Sequence, residues 1–162
     1  MSCTIRAARP GDEGLILALV RELADYEKLS EGVDATPEKI ADALFADEPR
    51  LYCDIAEWSG EPAGIAVWFL NFSTFRGRHG IYLEDLFVRP AFRGRGIGRA
   101  LMARLAKRCV EQGLARFEWA VLDWNAPSIA FYRSIGASVM DEWKICRLSG
   151  PALQAFAGGD AS

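Results

Sequence analysis

Arg93-Gly94-Arg95-Gly96-Ile97-Gly98-Arg99 is the stretch on which the reading of this chain turns. Ile97, Ala100, Leu101 and Leu105 recur at helical spacing after it. Ahead of it an apolar run, Ile81 to Val88, is stopped by Pro90, which cannot donate to a sheet ladder. The glycines therefore lie between a strand and the head of a helix. Three glycines at alternate positions leave the backbone uncovered, so successive N–H groups can turn toward one anion. The first turn of a helix adds unpaired donors and the positive end of its dipole. Arg93, Arg95 and Arg99 suit a ligand carrying several phosphates. Other phosphate motifs fit poorly. A Rossmann G-x-G-x-x-G begun at Gly94 ends on Arg99, and the Gly-Lys-Ser/Thr close of a P-loop is absent. The alternative is a glycine-rich structural turn.

Working outward, Asp12 to Lys28 reads as a helix with Leu15, Leu19 and Leu23 at four-residue spacing. Thr36-Pro37-Glu38 starts a second one, with a capping hydroxyl, a proline in the first turn and then an acid. Leu51 to Trp58 and Pro62 to Phe72 are predicted strands around a hairpin turn at Ser59-Gly60-Glu61. The helix after the glycines ends near Gly113, and Phe117 to Leu122 is a further strand. Asn125-Ala126-Pro127 opens a short helix that Gly136 closes. Trp143 to Leu148 is expected as a last strand, and Ala157 to Ser162 as a frayed tail. The order predicts an α/β (α+β) layered domain on a mixed sheet. A length of 162 residues, with no internal repeat or linker, predicts a single domain over 1–162.

Composition excludes several classes. No apolar run approaches the roughly 20 residues of a spanning helix, and Met1-Ser2-Cys3-Thr4 lacks the features of a leader, so a cytoplasmic protein is expected with no membrane partner. Cys3, Cys53, Cys109 and Cys146 are too far apart for zinc or redox spacing, and His79 is the only histidine, so no metal site is expected. The net charge of -3 is unevenly spread. Leu86 to Val110 carries seven bases and no acid, whereas Gly11 to Pro62 carries fourteen acids and four bases. That division reads either as solvated helix faces or as a polyanion site in one half and a cation site in the other. An amphipathic basic helix in an acidic chain is not the footprint of a nucleic-acid binder.

Arg93 to Gly98 matches the pattern [Arg/Gln]-x-x-Gly-x-[Gly/Ala] of the GNAT N-acetyltransferases. Tyr82-Leu83-Glu84-Asp85-Leu86-Phe87-Val88, Leu122-Asp123-Trp124-Asn125 with Phe131-Tyr132, and Glu22 to Ser30 resemble its diamine (spermidine/spermine) and thialysine acetyltransferase branch. The resemblance implies a GNAT-like, mostly antiparallel central sheet flanked by helices. It implies acetyl-CoA as co-substrate and a homodimer. Leu86, Phe87 and Val88 would offer backbone groups to the pantetheine arm. Arg93, Gly94, Arg95, Gly96, Ile97, Gly98 and Arg99 would hold the phosphates, and Asn125, Pro127 and Ser128 would line the other side of the co-substrate. Tyr26 and Glu27 would contribute to an amine groove, to which Glu142 is a further candidate; a solvated helix end is the alternative for the first two.

Acyl transfer to an amine makes two demands. An alkyl ammonium has a pKa of about 10.4, so roughly one molecule in 10³ is neutral at pH 7, which costs about 4 kcal/mol. A carboxylate that takes the proton offsets part of this. Glu84, inside an apolar strand, is the candidate base or amine ligand; a paired structural carboxylate is the alternative. Strand alternation predicts Glu84 and Asp85 on opposite faces, one of them toward substrate. The departing thiolate needs a proton, and Tyr132, seven residues or two helical turns after Asn125, is the candidate acid beside the co-substrate. A core tyrosine capping a backbone group is the alternative. Trp119, Trp124 and Trp143 read as core aromatics. The expected reaction is direct acetyl transfer to a small cationic amine: diamine, polyamine, thialysine or lysine-like. A protein lysine or N-terminus as acceptor, and a non-catalytic acetyl-CoA-sensing module, stay open.

Overall fold

The computed structural model describes residues 2–159, so the readings made at Met1 and at Asp160 to Ser162 lie outside the described residues. The chain divides into two compact units, Met1–Ala120 and Val121–Ser162. The first opens with strand β1 (Cys3–Ala7), which has too little apolar periodicity to be seen without its antiparallel neighbour β2. Helix α1 (Glu13–Tyr26) follows. Helix α2 (Pro37–Phe45) starts as expected: Thr36 Oγ1 accepts a hydrogen bond from the Lys39 N–H at 3.2 Å. Strands β2 (Tyr52–Trp58) and β3 (Glu61–Ser73) are joined by Ser59-Gly60. Both turn residues have positive φ, 51° and 84°, as a tight hairpin turn requires. Then come β4 (Arg78–Val88), α3 (Ile97–Glu111) and β5 (Phe117–Trp119).

The sheet order is β1-β2-β3-β4-β5, antiparallel throughout except for β5, which runs parallel to β4. The sheet is thus mixed and mostly antiparallel, with helices on both faces. On one face Ile16, Leu19 and Leu23 of α1 and Leu44 of α2 pack with Cys53, Ile55, Ile65, Val67 and Phe87. On the other lies α3, whose Arg104 bonds the buried Asp54 at 3.2 Å and whose Arg108 covers the Trp68 ring at 4.8 Å. Arg6 ties β1 to the start of α1 through Asp12 at 2.7 Å and to β2 through Glu57 at 3.0 Å. All four cysteines are free thiols. Among the described residues no helix is long and apolar enough to cross a membrane.

The second unit holds α4 (Ala126–Ser134) and α5 (Gly150–Gly158). The strand expected over Trp143 to Leu148 does not form among the described residues. Its apolar residues are present, but a strand is completed by ladder partners, and this segment has none there; Trp143 and Ile145 are 75% and 74% exposed. Trp124 is exposed as well and Trp119 is half-buried, so neither is a core aromatic of the kind expected. Ala157 and Gly158, expected in a frayed tail, end α5.

Candidate active site

The glycine loop is shaped by its backbone. Gly94 and Gly96 have φ of 75° and 77°, and Gly96 is the left-handed residue that caps α3. A Cβ at either would meet no atom within 4 Å, so conformation and not crowding requires glycine there. Ile97 is 2% exposed and anchors the turn in the core. No side chain caps the head of α3, so its first N–H groups face outward as anion donors. Of the seven bases between Leu86 and Val110, four are engaged elsewhere. Arg89 holds Glu22 at 2.8 Å, Arg104 and Arg108 flank Asp54, and Lys107 pairs with Glu111. Arg93, Arg95 and Arg99 are exposed around the glycines. The Arg95 guanidinium lies over the rings of Trp58 and Phe92, at 5.0 and 5.6 Å. That of Arg93 lies over Tyr26 at 4.9 Å and Phe87 at 5.7 Å, which brings the end of α1 to the loop. These groups fit a ligand with several phosphates.

Strand β4 supplies an open edge beside that cradle. β5 pairs with Ile81, Tyr82 and Leu83 only. Ile81 donates toward the β5 side, to the Arg116 carbonyl, while Arg89 donates toward β3, to the Ala63 carbonyl. An antiparallel ladder alternates bonded and non-bonded pairs, so Phe87, two before Arg89, also turns its main chain to β3. Leu86 and Val88 then turn theirs to the free edge. The Val88 carbonyl accepts from Arg93 Nε at 2.9 Å. The Phe87 ring is buried in the core.

The register slips between Leu83 and Asp85. Trp68 is opposite Leu83 and Val67 is opposite Asp85, so Glu84 has no partner and β4 carries a bulge there. Phe69 is opposite Tyr82, and Val67 and Phe69 share a face, so Tyr82 and Asp85 share it too. Glu84 is the inserted residue, exposed and without a register partner on β3. The simple alternation behind the opposite-face expectation for Glu84 and Asp85 is interrupted here by the inserted residue. Burial, with the charges of Glu84 and Glu27 behind it, pushes the Asp85 carboxyl up to about 6. Burial also raises Glu27, at the end of α1, above the usual carboxylate range. Tyr26, its neighbour, is 39% exposed. Glu27, Glu84 and Asp85 thus form one acidic neighbourhood that favours a cation. The same face continues onto β5, where Glu118 lies opposite Tyr82 and accepts from Arg116 at 2.7 Å and from Asn71 at 3.3 Å. The alternation Arg116-Phe117-Glu118-Trp119 is visible in the sequence, but its meeting with Asn71 needs the register of three strands.

In the second unit, Asn125 is 6% exposed and caps α4, its Oδ1 accepting from the Ser128 N–H at 3.3 Å. Pro127 sits in the first turn, where a missing N–H costs nothing. Tyr132 lies in the last part of α4, half-buried, its ring 5.6 Å from that of Phe131. Glu142 is exposed in an irregular segment.

Cradle, open strand edge and carboxylates form an α/β arrangement whose groups fit a phosphorylated ligand beside a cation. Residues 16–137 match the acetyltransferase (GNAT) family, and the chain belongs to it. It is an acyltransferase of the N-acetyltransferase class. It is 38% identical to a thialysine N-epsilon-acetyltransferase of Sus scrofa, over 97% of this chain and 98% of that one. It is 31% identical to the L-ornithine N5-acetyltransferase NATA1 of Arabidopsis thaliana, over 96% of this chain and 88% of that one. Among solved structures, an integron cassette protein from the mobile metagenome of V. cholerae superposes with a TM-score of 0.81 at 26% identity, covering 98% of this chain and 99% of its own. An aminoglycoside acetyltransferase from a soil metagenome shares the fold, with a TM-score of 0.73 at 16% identity, over 91% of this chain and 95% of its own. The family uses acetyl-CoA as co-substrate.

Proposed function

We propose that this chain acetylates the primary amine of a small cationic substrate, a diamine, polyamine, thialysine or lysine-like compound, by direct transfer from acetyl-CoA. The observation that carries the reading is the acidic neighbourhood in which the charges of Glu84 and Glu27 bear on the half-buried Asp85. Relatives whose names specify thialysine and ornithine support the same acceptor class. Acetyl-CoA, when bound, supplies the acetyl group as a thioester. The main-chain donors of Gly94 to Gly98, with Arg93, Arg95 and Arg99, hold its phosphates. Leu86 and Val88 offer edge groups to its amides, Phe87 backs them, and Asn125, Pro127 and Ser128 complete its contacts.

Tyr26, Glu27, Glu84 and Asp85 bind the acceptor as its ammonium. Glu84 takes a proton from it, directly or through water, and leaves the neutral amine that can act as a nucleophile. Asp85, with its carboxyl pushed up to about 6, lies half-buried next to Glu84 and adds to the acidic face that meets the ammonium. Tyr132 returns a proton to the leaving sulfur. No protein nucleophile is required. The two compact units work as one catalytic domain over 1–162, in a cytoplasmic homodimer without metal, nucleic-acid or membrane partners. The test is coenzyme A release from acetyl-CoA over a panel of diamines, polyamines and basic amino acids. Turnover with members of the panel is expected. Silence with all of them, in protein that binds coenzyme A by calorimetry, would defeat the acceptor assignment.

A further inference from the structure

Beyond the reacting amine, the same strand face carries an unabsorbed constellation on β5. Glu118 accepts two hydrogen bonds on one oxygen, from Arg116 Nε at 2.7 Å and from Asn71 Nδ2 at 3.3 Å. Asn71 stands on β3 and Glu118 on β5, so the contact crosses over β4. It can do so because the residue of β4 opposite Asn71 is Gly80. A Cβ on Gly80 would lie 2.7 Å from Asn71 Oδ1 and 2.7 Å from the Arg116 carbonyl oxygen. Three strands thus cooperate to fix one carboxylate. An ordinary exposed ion pair adds little stability and needs no such support. The Arg116–Glu118 pair is about half exposed, 51% and 41%, and its link uses only Nε of the guanidinium among the described residues. The planar end of Arg116 and the second Glu118 oxygen are left to a ligand.

Beside Glu118 on β4 stands Tyr82, and its ring meets that of Phe69 on β3, 5.2 Å away and tilted. They give an apolar floor on the shared face. Glu118 is opposite Tyr82, so Glu84 is one strand over and two residues along, with Cα atoms about 8 Å apart. That separation suits an acceptor with two cationic ends on a short alkyl chain. Arg116 adds something a diamine cannot use: a guanidinium fork that matches a carboxylate.

Resting on the reading that the chain acetylates a small amine near Glu84, we infer that Arg116 and Glu118 recognise the distal α-amino acid end of the acceptor. Glu118 takes its α-ammonium and Arg116 its α-carboxylate, with the alkyl chain along Phe69 and Tyr82. Arg116 also sets a positive charge beside the distal end of any diamine, which disfavours it. The enzyme is therefore selective for a basic amino acid over the amine that lacks its carboxylate.

The experiment compares kcat/KM for lysine, thialysine and ornithine with kcat/KM for cadaverine and putrescine, in wild-type enzyme, Arg116→Gln, Arg116→Lys and Glu118→Gln. Arg116→Gln is expected to lower the amino-acid-to-diamine ratio by about tenfold to a hundredfold, the range for losing a charged hydrogen-bond partner. Arg116→Lys restores part of that ratio, since it keeps the charge and loses the fork. Glu118→Gln weakens both classes, because both carry a distal ammonium. An unchanged ratio in Arg116→Gln, with wild-type turnover intact, overturns the inference and leaves the acetyltransferase reading standing. Wild-type enzyme silent with every small amine removes the underlying reading and this inference with it.

Discussion

At the head of α3, Gly94 and Gly96 work by presenting bare main chain, and no side chain at those positions takes part. Ten residues earlier, in β4, the proposed chemistry belongs to side chains, at a point where one inserted residue interrupts the ladder. The first region offers donors that any suitable backbone path would supply. The second depends on side chains set beside an inserted residue, with Glu84 exposed and Asp85 half-buried next to it. On the proposed function the difference separates binding from turnover: damage to the cradle is expected to raise the concentration of co-substrate needed, and damage to the bulged strand to slow the reaction.

The sharpest way to break that division is at β4. Glu84→Gln is expected to lower kcat/KM by about 10³-fold, with the loss greatest at low pH and coenzyme A binding retained. A pH–rate profile identical in shape to wild type would remove Glu84 as the base. Tyr132→Phe is expected to cost less, about 10²-fold in kcat, because a thiolate with a pKa of about 8.5 leaves with modest help. A kcat equal to wild type in pre-steady-state acetyl transfer would reduce Tyr132 to a packing residue.

Asp85 tests the same region through stability. Its carboxyl is raised to about 6 in the fold, above the unfolded value, so the native state binds more protons than the unfolded chain between roughly pH 4 and 6. Stability therefore falls as pH rises through that window. Asp85→Asn is expected to stabilise the protein at pH 7 by on the order of 2 kcal/mol, an advantage that fades toward pH 4, read from urea unfolding at both values. Asp12 carries the opposite sign, since Arg6 holds its carboxyl below the usual range and its contribution is lost as pH falls. The acid limb of the rate profile should also move in Asp85→Asn; a fixed limb would show that Asp85 takes no part in the reaction. The smallest effect is expected at the cradle. Gly96→Ala forces a side chain into the left-handed region at roughly 1–2 kcal/mol, so the Kd for coenzyme A rises about tenfold while kcat at saturation holds. Equal losses in Kd and kcat would dissolve the distinction between the two regions.

Legibility followed the range of the interactions. The cap at Thr36, the turn at Ser59-Gly60 and the helix after Gly96 were readable because each is decided within a few residues. The helix at Asn125 was readable for the same reason. Strand β1 was missed because five residues with one large aliphatic side chain gain their identity from β2. The strand expected at Trp143 to Leu148 had the right residues and no ladder among those described. The seven-base run looked uniform, yet Glu22, Asp54 and Glu111 claim four of its members, and those partners lie on α1, β2 and α3 itself.

By itself the amino-acid order determined the anion cradle, the element types around it and the residue kinds available for moving protons, since backbone conformation and helix starts are local properties. Only the tertiary structure decided that Tyr82 and Asp85 share a face across the inserted Glu84, that Leu86 and Val88 turn their main chain to a free edge, and that Gly80 lets Asn71 reach Glu118. Those outcomes are matters of register between strands. A slip of one residue there reverses which way every later group points, and no short stretch of sequence records it.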